Sequence, residues 1–144
     1  MIVYADTTFL ISLHIQDRHS PEVWRRMAFV PTVLVTQLQK AEFAHAAFAH
    51  VAAKKLSVTE AENAIAALDR DLVAGVLRKA EVREAAYGRS VAIARQHGSN
   101  LSLRTMHSLH VACALELRAE RFWTFDEGQR KLAEAAGLDT SDTA

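Results

Sequence analysis

The sequence predicts an α/β domain in which a small parallel sheet is covered by helices on both faces. Short apolar runs rich in β-branched residues, typical of buried strands, alternate with longer helical segments. The chain has 144 residues, half of them apolar and 24% charged, which suits one domain with a single core. No linker or low-complexity segment interrupts it.

The first half of the chain is predicted to hold two buried strands, each followed by helices. Residues 2–5 (IVYA) form the first strand, and the helical segment TTFLISLHI follows Asp6. A second helix begins with Ser20 as N-cap and Pro21 at the first helical position. Residues 31–36 (PTVLVT) form the second strand, which leads into the long helix QLQKAEFAHAAFAHVAAKK.

Two further helices are predicted in the middle of the chain. Thr59 followed by Glu62 matches a capping box and opens a helix that extends to about residue 73. The segment VREAAYGRSVAIARQH is the next helix, and Gly98 ends it.

The last part of the chain is predicted to contain a helix, a strand, a helix and a tail. Residues 102–117 form the helix, and residues 121–125 (RFWTF) form the third strand, with Phe122 and Trp123 expected in the core. The final helix ends at Gly137, and residues 139–144 are expected to be a disordered tail.

The composition gives few hints of a partner. The 17 basic and 17 acidic residues cancel, so no global charge attracts nucleic acid or membrane, although a local basic rim remains compatible. The single cysteine, Cys113, lies in an apolar run and is expected in the core. No long apolar segment or signal peptide is found, so we expect a cytoplasmic protein that does not enter the membrane.

Two acidic residues follow buried strands at corresponding positions. Asp6 comes directly after the first strand and Asp126 after the third, each just before a helix. Ligands of parallel sheets bind at the carboxyl ends of the strands, so the two side chains could form one site. The alternative is that each residue only caps its helix, a role that aspartate fills well.

Glu42 is a third candidate because it lies in a helix that is apolar nearly all round. A buried carboxylate needs a partner or a polar cleft, whereas the alternative is an exposed position at the rim. Three converging carboxylates would repel one another, and a hard divalent cation such as Mg²⁺ or Mn²⁺ would relieve this repulsion. Such sites are suited to the hydrolysis of phosphodiesters.

A pair of histidines, His107 and His110, lies three residues apart on an apolar helix, so both point in roughly the same direction. From spacing alone they could be a metal-binding pair, ordinary core histidines, or replacements for other residues. A zinc site is disfavoured because the helix supplies only two histidines and no third histidine is nearby.

Three blocks of the sequence resemble the PIN-domain family, and within it the VapC-type toxins of bacterial toxin–antitoxin pairs. The blocks are VYADTTFLISL, TQLQKAEFAHAAF and LRTMHSLHVACALELRAERFWTFDEGQRKLAEAAGL. The last block is the most specific. The resemblance covers residues 1–138, which it implies are one PIN domain folded as a three-layer α/β/α sandwich with a small central parallel sheet.

The resemblance also implies a metal-dependent endoribonuclease with Mg²⁺ or Mn²⁺ bound by acidic residues. The family's catalytic and metal-binding acids fall on Asp6, Glu42 and Asp126. A hydroxyl residue that accompanies them in the substrate site falls on Thr7 or Thr124, although Thr7 could equally be a helix-capping residue. Arg104 is expected near the cleft, either contacting a phosphate or pairing with one of the acids.

This chain departs from the family pattern at one acid. The family has Arg-Thr-apolar-Asp-small-apolar-His where this chain has RTMHSLH, so His107 replaces the expected aspartate and His110 matches the family's own histidine. Three carboxylates then remain instead of four. His107 could be a metal ligand that favours Mn²⁺, Zn²⁺ or Ni²⁺ over Mg²⁺, with affinity falling below about pH 6.5. Alternatively, its ring could offset the acids without a metal.

Two functions therefore remain open on the resemblance. The first is a VapC-like toxin that cleaves RNA and pairs with a cognate antitoxin protein, expected as a homodimer. The second is a catalytically degenerate PIN domain that binds RNA or an antitoxin without cleavage.

Overall fold

A four-stranded, entirely parallel sheet forms the centre of the fold, and the sequence predicted the parallel sheet with three of its four strands. The computed structural model describes residues 1–142. The strands are β1 (Ile2–Ala5), β2 (Thr32–Val35), β3 (Leu77–Lys79) and β4 (Arg121–Trp123), in the spatial order β3-β2-β1-β4. β1 pairs with both β2 and β4 and is therefore buried between them.

Seven helices of the described chain cover the two faces of the sheet. They are α1 (Thr7–His14), α2 (Ser20–Met27), α3 (Gln37–Ala52), α4 (Val58–Ala74), α5 (Ala85–His97), α6 (Thr105–Glu116) and α7 (Glu127–Ala135). Helices α1 to α4 pack against one another, as do α5 to α7. The result is the predicted three-layer α/β/α sandwich.

Neighbouring strand residues point into two separate cores. Val3 and Trp123 pack into the core beneath α1 to α4, whereas Tyr4 and Phe122 pack into the core beneath α5 to α7. Successive side chains of a strand point to opposite faces, so a sheet covered on both faces needs the continuous apolar runs seen in β1 and β2. Cys113 is also buried in the second core, as expected.

The sequence analysis missed β3. This strand pairs in parallel with β2, with Leu77 opposite Val33 and Lys79 opposite Val35. It has only three residues, and Arg78 and Lys79 are exposed because β3 is an edge strand. A single buried leucine gives no apolar run from which a strand could be recognised.

Two predicted helix starts were wrong in detail. The capping box of α4 uses Ser57 and Glu60, each bonding the other's backbone N–H, and not Thr59 and Glu62. The N-cap of α2 is His19, not Ser20, whose buried hydroxyl instead donates to the carbonyl of Ser12. Both sequence patterns fit more than one position, and the tertiary contacts decide which is used.

Several element boundaries also differ from the prediction. Helix α5 begins at Ala85 and α6 at Thr105, each three residues later than expected, and β4 ends at Trp123. Gly98 is the C-cap of α5 as predicted, while Gly137 follows the Ala136 cap of α7 in the left-handed region, with φ of 94°.

The segment after α7 runs back along β4. The carbonyl of Asp139 accepts a hydrogen bond of 2.9 Å from the Phe122 N–H, and the carbonyl of Ser141 accepts one of 2.9 Å from the Trp123 indole. Residues 143 and 144 of the expected tail lie outside the described residues. Among residues 1–142, no helix combines the length and apolarity needed to cross a membrane.

Candidate functional site

The three candidate acids lie at the carboxyl edge of the sheet. Asp6 follows β1 directly, Asp126 follows the neighbouring β4 by three residues, and Glu42 lies in the second turn of α3, which begins just after β2. Because β2, β1 and β4 are adjacent and parallel, their ends bring all three segments to one edge.

Asp6 is a buried carboxylate, and each of its two oxygens accepts at least one hydrogen bond from the protein. It is 4% exposed and caps α1 by accepting a hydrogen bond from the Phe9 N–H. The hydroxyls of Thr8 and Thr124 each donate to one of its two oxygens. Burial raises the pKa of Asp6, although the two threonine hydrogen bonds oppose this effect.

Glu42 lies at the outer end of a hydrogen-bonded chain that reaches into the core. Its Oε1 accepts from the Thr7 hydroxyl at 2.9 Å and pairs with Nε2 of His110. The other nitrogen of His110, Nδ1, is 2.7 Å from the hydroxyl of Tyr4, which is fully buried. Tyr4 stacks on Phe122, with ring centroids 5.5 Å apart.

The electrostatics of Glu42 favour its ionised form. Partial burial by itself would raise its pKa, but the hydrogen bond and charge of His110, followed by the Thr7 hydroxyl, lower the pKa below the usual value. Glu42 is therefore a charged residue whose orientation is fixed from two sides.

Asp126 both caps a helix and faces His107. Its Oδ1 accepts a 3.0 Å hydrogen bond from the Gln129 N–H at the start of α7, while Oδ2 is 3.5 Å from Nε2 of His107. Although partial burial would raise the pKa of Asp126, the backbone N–H of Gln129 and the charge of His107 lower it. Asp126 can therefore cap α7 and belong to the candidate site at the same time.

His107 has only part of its hydrogen-bonding capacity satisfied. Its Nδ1 is buried and, within the described chain, has no hydrogen-bond partner. A Cβ at the neighbouring Gly128 would come within 3.3 Å of Asp126 Oδ1 and 3.8 Å of His107 Cε1, so the glycine lets the backbone pass close to this pair.

The other predicted site residues are placed as follows. Thr7 contacts Glu42 and Thr124 contacts Asp6, whereas Arg104 is an exposed residue at the N-cap of α6. Sequence reasoning missed Thr8, whose hydroxyl donates to Asp6 and accepts a 2.9 Å hydrogen bond from the Phe125 N–H. The Asp-Thr-Thr sequence after β1 was the available signal, but only the first threonine was considered.

The donor set fits a divalent cation in its chemistry. Carboxylate oxygens are the ligands that Mg²⁺ and Mn²⁺ prefer, and a bound cation would favour the ionised form of the buried Asp6. No group of three or more Asp, Glu, His or Cys in residues 1–142 is already arranged around a metal position. Both nitrogens of His110 are engaged, which leaves no zinc pair with His107.

The comparisons with known proteins agree with this fold. The PIN domain family model matches residues 3–135. No curated protein sequence matches the chain. The structure is similar to VapC20 of Mycobacterium tuberculosis, described as a Sarcin-Ricin loop cleaving toxin, with a TM-score of 0.71, 17% identity and coverage of 96% of this chain and 98% of that chain.

Two further solved structures are similar. VapBC2 from Rickettsia felis, bound to a DNA fragment from its promoter, has a TM-score of 0.71 and 13% identity, covering 98% of each chain. FitAcB from Neisseria gonorrhoeae has a TM-score of 0.63 and 18% identity, covering 99% of this chain and 98% of that one. At such identities these likenesses establish the fold alone.

Proposed function

Because the chain belongs to the PIN domain family, we propose that it is a divalent-metal-dependent endoribonuclease and the toxin of a toxin–antitoxin pair. Structural neighbours of the chain include a Sarcin-Ricin loop cleaving toxin and a VapBC complex. The family and these neighbours support a ribonuclease toxin. The proposal goes further in three points: the chain is catalytically active, it depends on a divalent metal, and particular residues bind that metal.

The observation that carries the proposal is the placement of three carboxylates at one edge of the sheet. Asp6, Glu42 and Asp126 come from three different segments that adjacent parallel strands bring together. A buried carboxylate is costly and its cap function alone does not require the burial of Asp6. A site for a cation and a phosphate gives this arrangement a use.

Each acid has groups that fix its direction. Thr8 and Thr124 hold Asp6, Thr7 and His110 hold Glu42, and the Gln129 N–H holds Asp126. We assign these three acids to binding Mg²⁺ or Mn²⁺. The cation, when bound, supplies activation of a water molecule and stabilises charge on the scissile phosphate.

Other residues have supporting roles in the proposal. His107 takes the place of a fourth acid and reduces the negative charge of the site, which favours Mn²⁺ over Mg²⁺ if the ring becomes a ligand. The exposed Arg104 contacts a substrate phosphate, and Thr7 and Thr124 border the substrate site.

A second candidate function is a PIN domain that binds RNA or an antitoxin without cleavage. The pairing of His107 with Asp126 favours it, since an imidazole beside the carboxylate competes with a cation for that acid. In either case the proposed partners are RNA and a cognate antitoxin, and the protein is proposed to be a cytoplasmic homodimer.

The test is RNA cleavage by the wild type and by Asp6→Asn and Glu42→Gln, in Mg²⁺, in Mn²⁺ and with a chelator. We expect metal-dependent cleavage that each substitution lowers by about 100-fold or more, since each removes a charge from the cation site. Glu62→Gln, an exposed glutamate of α4, is the matched control and should keep full activity. Cleavage that persists in chelator, or in both amide variants, contradicts the proposal.

A further inference from the structure

A cavity of about 320 Å³ adjoins the acidic edge between α1, α3 and the segment after β4. Thr7 and Thr8 form one wall, and the same two hydroxyls donate to Glu42 and Asp6. The cavity therefore lies next to two residues that hold acids of the proposed catalytic site. Its volume lies at the lower end of the range for ligand pockets, about 300–1,000 Å³.

A column of stacked rings leads from the core to this cavity. Phe9 stacks on Phe125 with centroids 5.9 Å apart and planes inclined by 12°, and Phe125 stacks on His19 at 4.2 Å and 5°. The Arg26 guanidinium lies 5.7 Å from the Phe125 centroid. Phe125 thus stacks with two rings, the buried Phe9 and the partly exposed His19.

One side of the His19 ring stacks on no other aromatic ring of residues 1–142. His19 lines the cavity, Phe125 stacks on its ring, and Arg18 Nε donates a 3.3 Å hydrogen bond to Nε2 at the ring edge. The backbone N–H of His19 donates to Asp17 at 2.8 Å, which fixes the position of the residue at the start of α2. A flat ring placed on the side away from Phe125 would extend the column by one member.

The polar wall of the cavity accepts hydrogen bonds. The hydroxyls of Thr7, Thr8 and Ser12 all donate to carboxylates, Ser12 to Asp17 at 2.8 Å. Nδ1 of His50 is 3.0 Å from the Ala46 carbonyl and must carry the proton, because a carbonyl only accepts. In the neutral ring Nε2 is then an acceptor, so the wall suits a ligand edge that carries N–H donors.

We infer that this cavity binds one nucleobase of a single-stranded RNA, stacked on His19 and presenting N–H donors to the acceptor wall. The inference rests on the proposed function, because it places the base beside the phosphate that the acids would act on. Stacking on aromatic side chains is the general way in which proteins hold unpaired bases. His19 would then be a substrate-binding residue and not a catalytic one.

The test uses 2-aminopurine riboside, a fluorescent nucleoside that carries amino donors and no phosphate. It is titrated into the full chain in chelator, and quenching of its fluorescence reports stacking without any cleavage. His19→Ala removes the ring, while His19→Phe keeps a stacking surface. Tyr87→Ala is the matched control, because Tyr87 is a 57% exposed aromatic residue that does not line the cavity. It lies on α5, where Arg89 pairs with Glu116 at the C-terminal end of α6.

We expect saturable quenching with wild type, Tyr87→Ala and His19→Phe, and an affinity about 5- to 100-fold weaker for His19→Ala. If the wild type shows no saturable quenching, the inference is overturned. That result is expected if the cavity receives a protein side chain and not a base. An equal loss in His19→Ala and His19→Phe also overturns the inference. If the nucleoside binds but RNA is never cut, the proposed function fails while the base site stands.

Discussion

The two histidines of α6 have opposite surroundings, although they are one turn apart. His110 is 4% exposed and uses both nitrogens, one on Tyr4 and one on Glu42. His107 has one nitrogen 3.5 Å from Asp126 and the other buried without a partner in the described chain. The Glu42 half of the site is therefore a closed network, whereas the Asp126 half is incomplete.

The difference in surroundings indicates that His110 is the histidine on which the packing of the fold depends. Removing one member of a satisfied buried network leaves its partners unpaired, so such a network tolerates little change. At His107, where one nitrogen is unsatisfied, a substitution breaks fewer hydrogen bonds. This agrees with the interpretation of His107 as a replacement for an acid and of His110 as the residue that orients Glu42.

The largest effect is expected for His110→Ala. It leaves the Tyr4 hydroxyl and the Glu42 carboxylate without their common partner and opens a cavity, so we expect a loss of about 2–4 kcal/mol in the free energy of unfolding. Urea denaturation measures it. Tyr4→Phe, which removes only one hydrogen bond, should cost about 1 kcal/mol. Equal costs for the two variants would show that the network is not closed.

The next effect concerns the incomplete half. In His107→Asp a carboxylate replaces the ring beside Asp126, so without metal the variant should be less stable than the wild type. Added Mn²⁺ should then stabilise the variant more than it stabilises the wild type. The variant itself should gain about 2.7 kcal/mol at a concentration 100 times its Kd. Thermal unfolding with and without the metal measures this. If Mn²⁺ stabilises both proteins equally, the interpretation of His107 as the replacement of a fourth metal-site acid is contradicted.

A smaller effect is expected from pH. His110 and Thr7 hold the pKa of Glu42 below its ordinary value. The stability that Glu42 contributes is therefore complete above the pKa of a glutamate in the unfolded chain, about 4.3. It is lost as the pH falls through the lower pKa of Glu42 in the folded protein. In Glu42→Gln the loss of stability between pH 5 and pH 3 should be shallower. Urea midpoints across this range test it, and parallel curves would contradict it.

The smallest effect is expected for His107→Ala. The ring makes one long contact with Asp126 and has one nitrogen unsatisfied, so its removal should change the free energy of unfolding by about 0.5 kcal/mol. The matched comparison with His110→Ala on the same helix removes the same number of atoms. A cost for His107→Ala close to that of His110→Ala would abolish the contrast between the two halves.

The sequence was sufficient to predict the elements that consist of local patterns. The apolar runs of β1, β2 and β4 predicted a buried parallel sheet, and the acids that follow β1 and β4 were found because a charge directly after such a run is conspicuous. Glu42 was found for a similar reason, as a carboxylate within an apolar helix.

The rest depends on contacts between distant parts of the chain. Tyr4 and His110 are separated by 106 positions, and neither neighbourhood in the sequence shows that they bond. The stack of His19 on Phe125 is equally invisible, because their proximity depends on how α2 lies beside the end of β4. β3 was missed because its pairing with β2, and not its own apolar content, makes it a strand.

The central claim is that this chain is a metal-dependent ribonuclease in spite of His107. Its most direct test is metal-dependent cleavage of single-stranded and structured RNA by the wild type and His107→Asp, in Mg²⁺ and in Mn²⁺, with a chelator control. We predict that the wild type cuts, better in Mn²⁺ than in Mg²⁺, and that His107→Asp cuts faster in Mg²⁺. Cleavage by His107→Asp alone would contradict the claim and show that the chain has kept the fold but lost the chemistry.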